Sequence, residues 1–226
     1  MSSLKRVVEN DLIDRVSPDE YKSRIKNVYG GRQGAFLSTA SRISLHIRMG
    51  RRIIGSRQFD IRGMKSILDI GSGAGQLAEH LLRYSDRDAR ITCIDLAHTM
   101  LCRARRRLKS ERPAYVAADC SALPFADASF DGATCGYVIE HVPDTRAGLA
   151  EIARVLKPGG RLLLLATEDT FSGAWTSRIW CCRTINRQQL RDYCDAVGLR
   201  WRQELWSTKM HRALKAGGIV IEAERV

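Results

Sequence analysis

Short apolar runs alternate along this chain with segments whose apolar residues recur every three or four places, a pattern that predicts strand and helix in turn. Lys65 to Ile70 (KSILDI) reads as a strand that breaks at a glycine cluster, and QLAEHLLRY then repeats Leu77, Leu81 and Leu82 at helical spacing. A second strand carries Ile91, Cys93 and Ile94 and ends at Asp95; HTMLCRARRRLKS follows as a basic amphipathic helix with Met100, Leu101, Ala104 and Leu108 on its apolar side. Tyr115 to Ala118 forms a third strand ending at Asp119, and FDGATCGYV from Phe130 a fourth. Asp144 or Thr145 can cap a helix bearing Leu149, Ile152, Ala153, Val155 and Leu156, with Lys157-Pro158-Gly159-Gly160 as its stop signal. RLLLLAT is apolar throughout, as a central parallel strand covered on both faces must be. A helix near Arg187 to Val197 and strands near Leu199 to Trp206 and Gly218 to Glu224 complete the pattern.

Such alternation predicts an α/β fold, a doubly wound Rossmann-like sheet with right-handed crossovers and its ligand beyond the carboxyl ends of the strands. Residues 1–60 do not share the alternation. They are read as an N-terminal helical extension or substrate cap packed over that edge, and residues 61–226 as the α/β domain.

Composition narrows the class. With 226 residues, 44% of them hydrophobic, the chain can bury a full core, which excludes collagen-like and wholly disordered readings. Its longest strongly apolar stretch, Leu162 to Ala166, is far short of the roughly 20 residues that span a bilayer. The opening MSSLKRVVENDLIDR lacks the apolar core of a signal peptide, so a cytoplasmic protein is expected. Seven cysteines without a CxxC spacing fit neither a disulfide framework nor a zinc ribbon, and no metal is expected. Lys and Arg number 37 against 25 Asp and Glu, a net charge of +12 that favours anionic surroundings: nucleic acid, phosphorylated metabolites or acidic lipid.

In Asp69-Ile70-Gly71-Ser72-Gly73-Ala74-Gly75, glycine at every second place lets the backbone approach a ligand closely. A dinucleotide turn needs a glycine at position 76, where Gln76 stands. Asp95 and Asp119 end the next two strands beside this turn. Two acids there suit a nucleoside: Asp95 can accept from both ribose hydroxyls and Asp119 from an adenine amino group. As solvated strand-end carboxylates they would need no ligand.

LDIGSGAGQLAEHL, CIDLAHTMLCRAR, AADCSALPFADASFDGATCGYVIEHVPD and GLAEIARVLKPGGRLLLL, in that order over about residues 65 to 166, resemble the class I S-adenosylmethionine-dependent methyltransferases. The likeness is strongest to the branch of quinone-biosynthesis and other small-molecule enzymes. It implies a seven-stranded, mostly parallel sheet with one antiparallel strand, for which GIVIEAERV is the candidate. It also implies S-adenosyl-L-methionine as cofactor and S-adenosyl-L-homocysteine as product. Gly71, Gly73 and Gly75 would lie against the methionine part, with Asp69 orienting it. Asp95, with Leu96 beside it, would hold ribose. Asp119, Cys120 and Ser121 would border adenine, and Tyr137 the sulfonium end.

A sulfonium methyl is already activated, so the protein mainly aligns an acceptor and excludes water. His141, after the fourth strand, is a candidate general base or substrate orienter, or a local hydrogen-bonding residue. Tyr21 and Tyr29 are candidates to close a phenol over the site. In families that methylate phosphoethanolamine-type head groups a similar Tyr and His pair. From Tyr21 to Phe59 there are nine Lys and Arg and no Asp or Glu. Phe36, Ala40, Ile43, Ile47 and Ile54 recur there at helical spacing, which fits an interfacial helix on an anionic membrane, or a stripe buried on the domain itself. Phe171, Trp175 and Trp180 are candidates to line an acceptor pocket in a short loop. The expected enzyme acts on a small-molecule or lipid acceptor, an amine head group at the inner membrane surface being the favoured case. The alternatives are an RNA methyltransferase, against which Gly136 to His141 lacks an Asn/Asp-Pro-Pro-aromatic segment, and a non-catalytic S-adenosylmethionine-binding protein.

Overall fold

The structure is a computed structural model that describes residues 10–31, 50–206 and 218–226. Strands β1 (Ser66–Ile70), β2 (Arg90–Asp95), β3 (Pro113–Ala117), β4 (Phe130–Gly136), β5 (Leu156–Ala166), β6 (Leu199–Glu204) and β7 (Ile219–Arg225) form one sheet in the order β3-β2-β1-β4-β5-β7-β6. The first five are parallel, while β7 runs antiparallel to both β5 and β6, so the antiparallel strand is the one the sequence singled out. Strand order reverses between β1 and β4, which puts the glycine turn after β1 at the switch point, where open α/β sheets bind ligands.

The helices are α1 (Leu12–Arg15), α2 (Pro18–Gly30), α3 (Gln76–Tyr84), α4 (His98–Leu108), α5 (Thr145–Val155), α6 (Phe171–Trp180) and α7 (Arg187–Ala196). Side-chain alternation on β5 explains its unbroken apolar run. Leu162, Leu164 and Ala166 enter one core cluster with Leu149 and Ile152 of α5, while Leu163 and Leu165 enter the other with Ala78 and Leu81 of α3. Ile53, Ile54 and Phe59 are buried in the second cluster as well. Ile54 therefore faces core, although the interfacial-helix reading put it on a lipid-facing stripe; Phe36, Ala40, Ile43 and Ile47 lie outside the described residues.

Several boundaries differ from the sequence reading, each for a local reason. β4 ends at Gly136, because Tyr137 turns the backbone left-handed at φ 58°. β3 ends at Ala117, leaving Asp119 in a turn that bridges to Ala122. The helix before KPGG stops at Val155, since Leu156 already pairs with Phe130; β5 passes through KPGG with a register shift before Gly132 meets Arg161. Residues 171–180 are a helix, not a loop: the Thr170 side chain caps it by accepting from Gly173 N at 3.1 Å. Of the aromatics expected in a pocket there, Phe171 and Trp175 are 62% and 60% exposed, and only Trp180 reaches the site.

Candidate active site

At the glycine-turn end the chain builds the site from neighbours. Asp95 ends β2, and its carboxylate accepts from Gly73 N at 2.9 Å and Ala97 N at 2.8 Å. Each oxygen keeps a further lone pair, the arrangement that two vicinal hydroxyls require. Burial raises the Asp95 pKa against these two amides. Gly71, Gly73 and Gly75 have φ of 64°, 53° and 84°, a left-handed run that ordinary side chains resist. A Cβ on Gly71 would collide with Val138 Cγ2. Leu96 follows Asp95, half-buried at the same edge.

Asp69 lies beneath the turn. Thr134 Oγ1 donates to its Oδ1 at 2.6 Å, while Oδ2 is buried without a partner, and burial pushes the carboxyl up to about 6. An ammonium group, such as that of a methionine moiety, would satisfy the orphaned oxygen and favour the charged carboxylate. The residues present therefore fit the cofactor the resemblance implies. Asp119 Oδ1 accepts from Ser121 N at 2.8 Å and Ser121 Oγ at 2.7 Å, and Oδ2 pairs with Lys22 Nζ at 2.6 Å. Burial opposes its charge, but the hydrogen bonds from Lys22 and Ser121 outweigh burial and hold the carboxyl below its ordinary value. Cys120 packs its thiol into the main core, so only its backbone borders this end.

The other end is assembled from distant segments. The chain leaves β4 through Tyr137 into a 3-10 turn, Ile139–His141, and α2 lies across it. Tyr21 Oη is 3.0 Å from His141 Nδ1 and 2.9 Å from Cys181 O. Tyr29 Oη is 3.2 Å from His141 Nε2 and 3.3 Å from Trp180 O. Trp180 stacks on Tyr29 at 6.4 Å between centroids. Burial lowers the His141 pKa to about 4, with the Arg183 charge adding to it, so the imidazole is neutral at pH 7. Burial raises both tyrosines and Tyr137, which remain phenols. All three residues put forward for acceptor chemistry thus meet, and Tyr137 stands beside them in the chain.

Three participants escaped the sequence reading. Lys22 finds Asp119, and Arg103 of α4 donates to Tyr29 O and Gly31 O, both at 3.0 Å, holding the end of α2; neither contact has a signal in the sequence. Glu140 is 1% exposed, with Oε1 accepting from Thr167 N at 3.1 Å and Oγ1 at 2.8 Å and Oε2 unpartnered. Burial pushes this carboxyl up to about 7. A glutamate before His141 was visible, but its burial was not.

Residues 68–164 match a family model described as a methyltransferase domain. The chain is 37% identical over 117 residues to a ubiquinone/menaquinone biosynthesis C-methyltransferase, UbiE, of Desulfotalea psychrophila, an alignment covering 52% of this chain and 47% of that one. It is 38% identical over 117 residues to the O-methyltransferase rstn1 of Aspergillus nomiae, covering 50% and 51%. This chain spans about half the length of the curated relatives it matches. Its fold is shared with the N-methyltransferase NodS of Bradyrhizobium japonicum, solved in complex with S-adenosyl-L-homocysteine: TM-score 0.60, 19% identity, covering 80% of this chain and 85% of NodS.

Proposed function

We propose, from the premise that this chain belongs to the class I S-adenosylmethionine-dependent methyltransferases, that it methylates a small-molecule or lipid acceptor beside the Tyr21, Tyr29 and His141 cluster. The observation that carries the reading is the meeting of Tyr21, Tyr29 and His141 at the carboxyl edge of the same sheet where Asp69 lies beneath the glycine turn and Asp95 beside it. When bound, S-adenosylmethionine supplies a sulfonium methyl open to direct displacement, with S-adenosylhomocysteine as product. Asp69 holds the ammonium end, Asp95 the ribose and Asp119 with Ser121 the adenine edge, while Gly71 and Gly73 let the backbone come close. Tyr137 borders the methyl, and α2 excludes water. His141, neutral at pH 7, has a lone pair with which to take the acceptor's proton.

Within that class an amine acceptor is the finer reading. Tyr29 and Trp180 offer stacked aromatic faces, which favour a cation. The excess of basic residues extends this to an amine head group at an anionic membrane surface; among the described residues no helix is long and apolar enough to cross a membrane.

The test is incubation with methyl-labelled S-adenosylmethionine and whole-cell extract, then partition into organic, aqueous small-molecule, protein and nucleic-acid fractions. Label in the organic or small-molecule fraction is the expected result. Nuclease-sensitive label would replace this reading with an RNA methyltransferase, and cofactor binding without label in any fraction would leave a binding protein.

A further inference from the structure

The hydrogens of the Tyr21, His141 and Tyr29 cluster can be counted. Each phenol has one hydrogen to donate, the carbonyls of Cys181 and Trp180 only accept, and a neutral imidazole carries one N–H and one lone pair. Two arrangements close the chain of bonds. In the first, Tyr21 donates to Cys181 O, His141 Nδ1–H donates to Tyr21, and Tyr29 donates to Nε2. The second is its mirror: Tyr29 donates to Trp180 O, Nε2–H donates to Tyr29, and Tyr21 donates to Nδ1.

The phenol-to-imidazole contacts serve both arrangements, so the carbonyl contacts decide between them. The first uses the 2.9 Å contact from Tyr21 to Cys181 O, and the second the 3.3 Å contact from Tyr29 to Trp180 O, at the long edge for an O–H donor. Tyr21 is also 1% exposed, held in a cluster with Ile13 and Ile25, so water does not compete for its hydrogen. We propose that Tyr21 is a positioning residue that holds His141 in its Nδ1–H tautomer, so that the Nε2 lone pair faces Tyr29 and the acceptor's proton leaves through Tyr29 alone. The two tyrosines then have unequal duties: one sets the tautomer, as an orienting group does for a catalytic imidazole, and the other carries the proton.

The proton step balances without any further reactant. The acceptor's N–H or O–H bond breaks, leaving its electron pair on the acceptor for the new bond to carbon. A new O–H forms on Tyr29 as its original hydrogen passes to Nε2, and His141 finishes with a hydrogen on each nitrogen, the Nδ1–H still held by Tyr21. This transfer rests on the methyltransferase reading, whereas the tautomer assignment does not.

The test is long-range proton–nitrogen NMR on the full chain with labelled histidine, without cofactor, at pH 7. The signal of His141 is identified among the 5 histidines by its loss in His141→Gln. The native protein is expected to show the Nδ1–H tautomer, Tyr29→Phe to retain it, and Tyr21→Phe to convert it to Nε2–H or to a mixture. An Nε2–H signal in the native protein overturns the proposal, and so does an unchanged Nδ1–H signal in Tyr21→Phe. The native spectrum decides the tautomer whatever the variants do, and it needs no substrate, so its failure is separate from failure of the methyltransferase reading. With an acceptor in hand, Tyr21→Phe is expected to lower kcat about tenfold at unchanged KM, and Tyr29→Phe about a hundredfold. Equal effects of the two would overturn the division of duties.

Discussion

The two ends of the site are built in different ways. At the glycine-turn end Asp95 finds its amide partners 2 and 22 residues away, within one strand-turn-helix unit and its neighbour. At the imidazole end Tyr21 and Tyr29 reach His141 across 120 and 112 residues, and the carbonyls that complete the cluster lie 160 and 151 residues from those tyrosines. The first end is backbone geometry, set by left-handed glycines and parallel strand ends, and it exists wherever this β-α-β unit folds. The second exists only while α2 rests on the sheet edge. Under the proposed function, cofactor recognition rests on the first end and acceptor chemistry on one docked helix, so the two should come apart under mutation.

The sharpest break is His141→Ala. It should reduce turnover by about 10²-fold or more while leaving cofactor affinity, measured by calorimetry, within about twofold. Parallel loss of both would erase the distinction between the ends. Gly71→Ala is the converse: the left-handed φ and the collision with Val138 should cost about 2–3 kcal/mol in cofactor binding and lower the Tm, with α2 contacts intact. An unchanged dissociation constant would count against close approach at the turn.

Smaller effects come from the charged groups. The Glu140 pKa is about 7 in the folded protein against an ordinary 4.5, so the native state holds this proton more tightly than the unfolded chain. The stability it contributes is full below about pH 4.5 and is lost as pH rises through about 7. His141, lowered to about 4 by burial and the Arg183 charge, works in the opposite sense between about pH 4 and 6.5, and it is present in the native protein and in a Glu140 variant alike. Urea melts should therefore show Glu140→Gln gaining on the native protein by on the order of 2 kcal/mol between pH 5 and pH 8. No relative gain would place the carboxyl in a wetter setting. Lys22→Ala should have the least effect, about 1 kcal/mol or less, because its pair with Asp119 is only partly buried. Hydrogen exchange in α2 should nevertheless rise in that variant, since Lys22 ties the helix to Asp119 in the turn after β3.

Strand and helix identities were legible wherever period and burial agree, as in KSILDI, QLAEHLLRY and RLLLLAT. Element ends were less so, because tertiary pairing moved them: Leu156 left its helix to pair with Phe130, and Tyr137 ended β4 through a backbone angle that no residue pattern announces. In α6 the residues at 171, 175 and 179 do recur at helical spacing, but that stripe is exposed, so reading aromatics as pocket lining misplaced two of them.

By itself the sequence determined the α/β class, and it put forward the carboxyl edge, the acids Asp69, Asp95 and Asp119, and Tyr21, Tyr29 and His141 as candidates. These depend on local spacing and on residue chemistry, which a linear chain displays. Only the tertiary structure decided that both tyrosines reach the same imidazole, that Lys22 meets Asp119, and that Glu140 is buried with one oxygen unpartnered. The first two kinds of contact join segments more than 90 residues apart and the Glu140–Thr167 contact joins segments 27 residues apart, and their distances and loss of water are properties of the packed molecule alone.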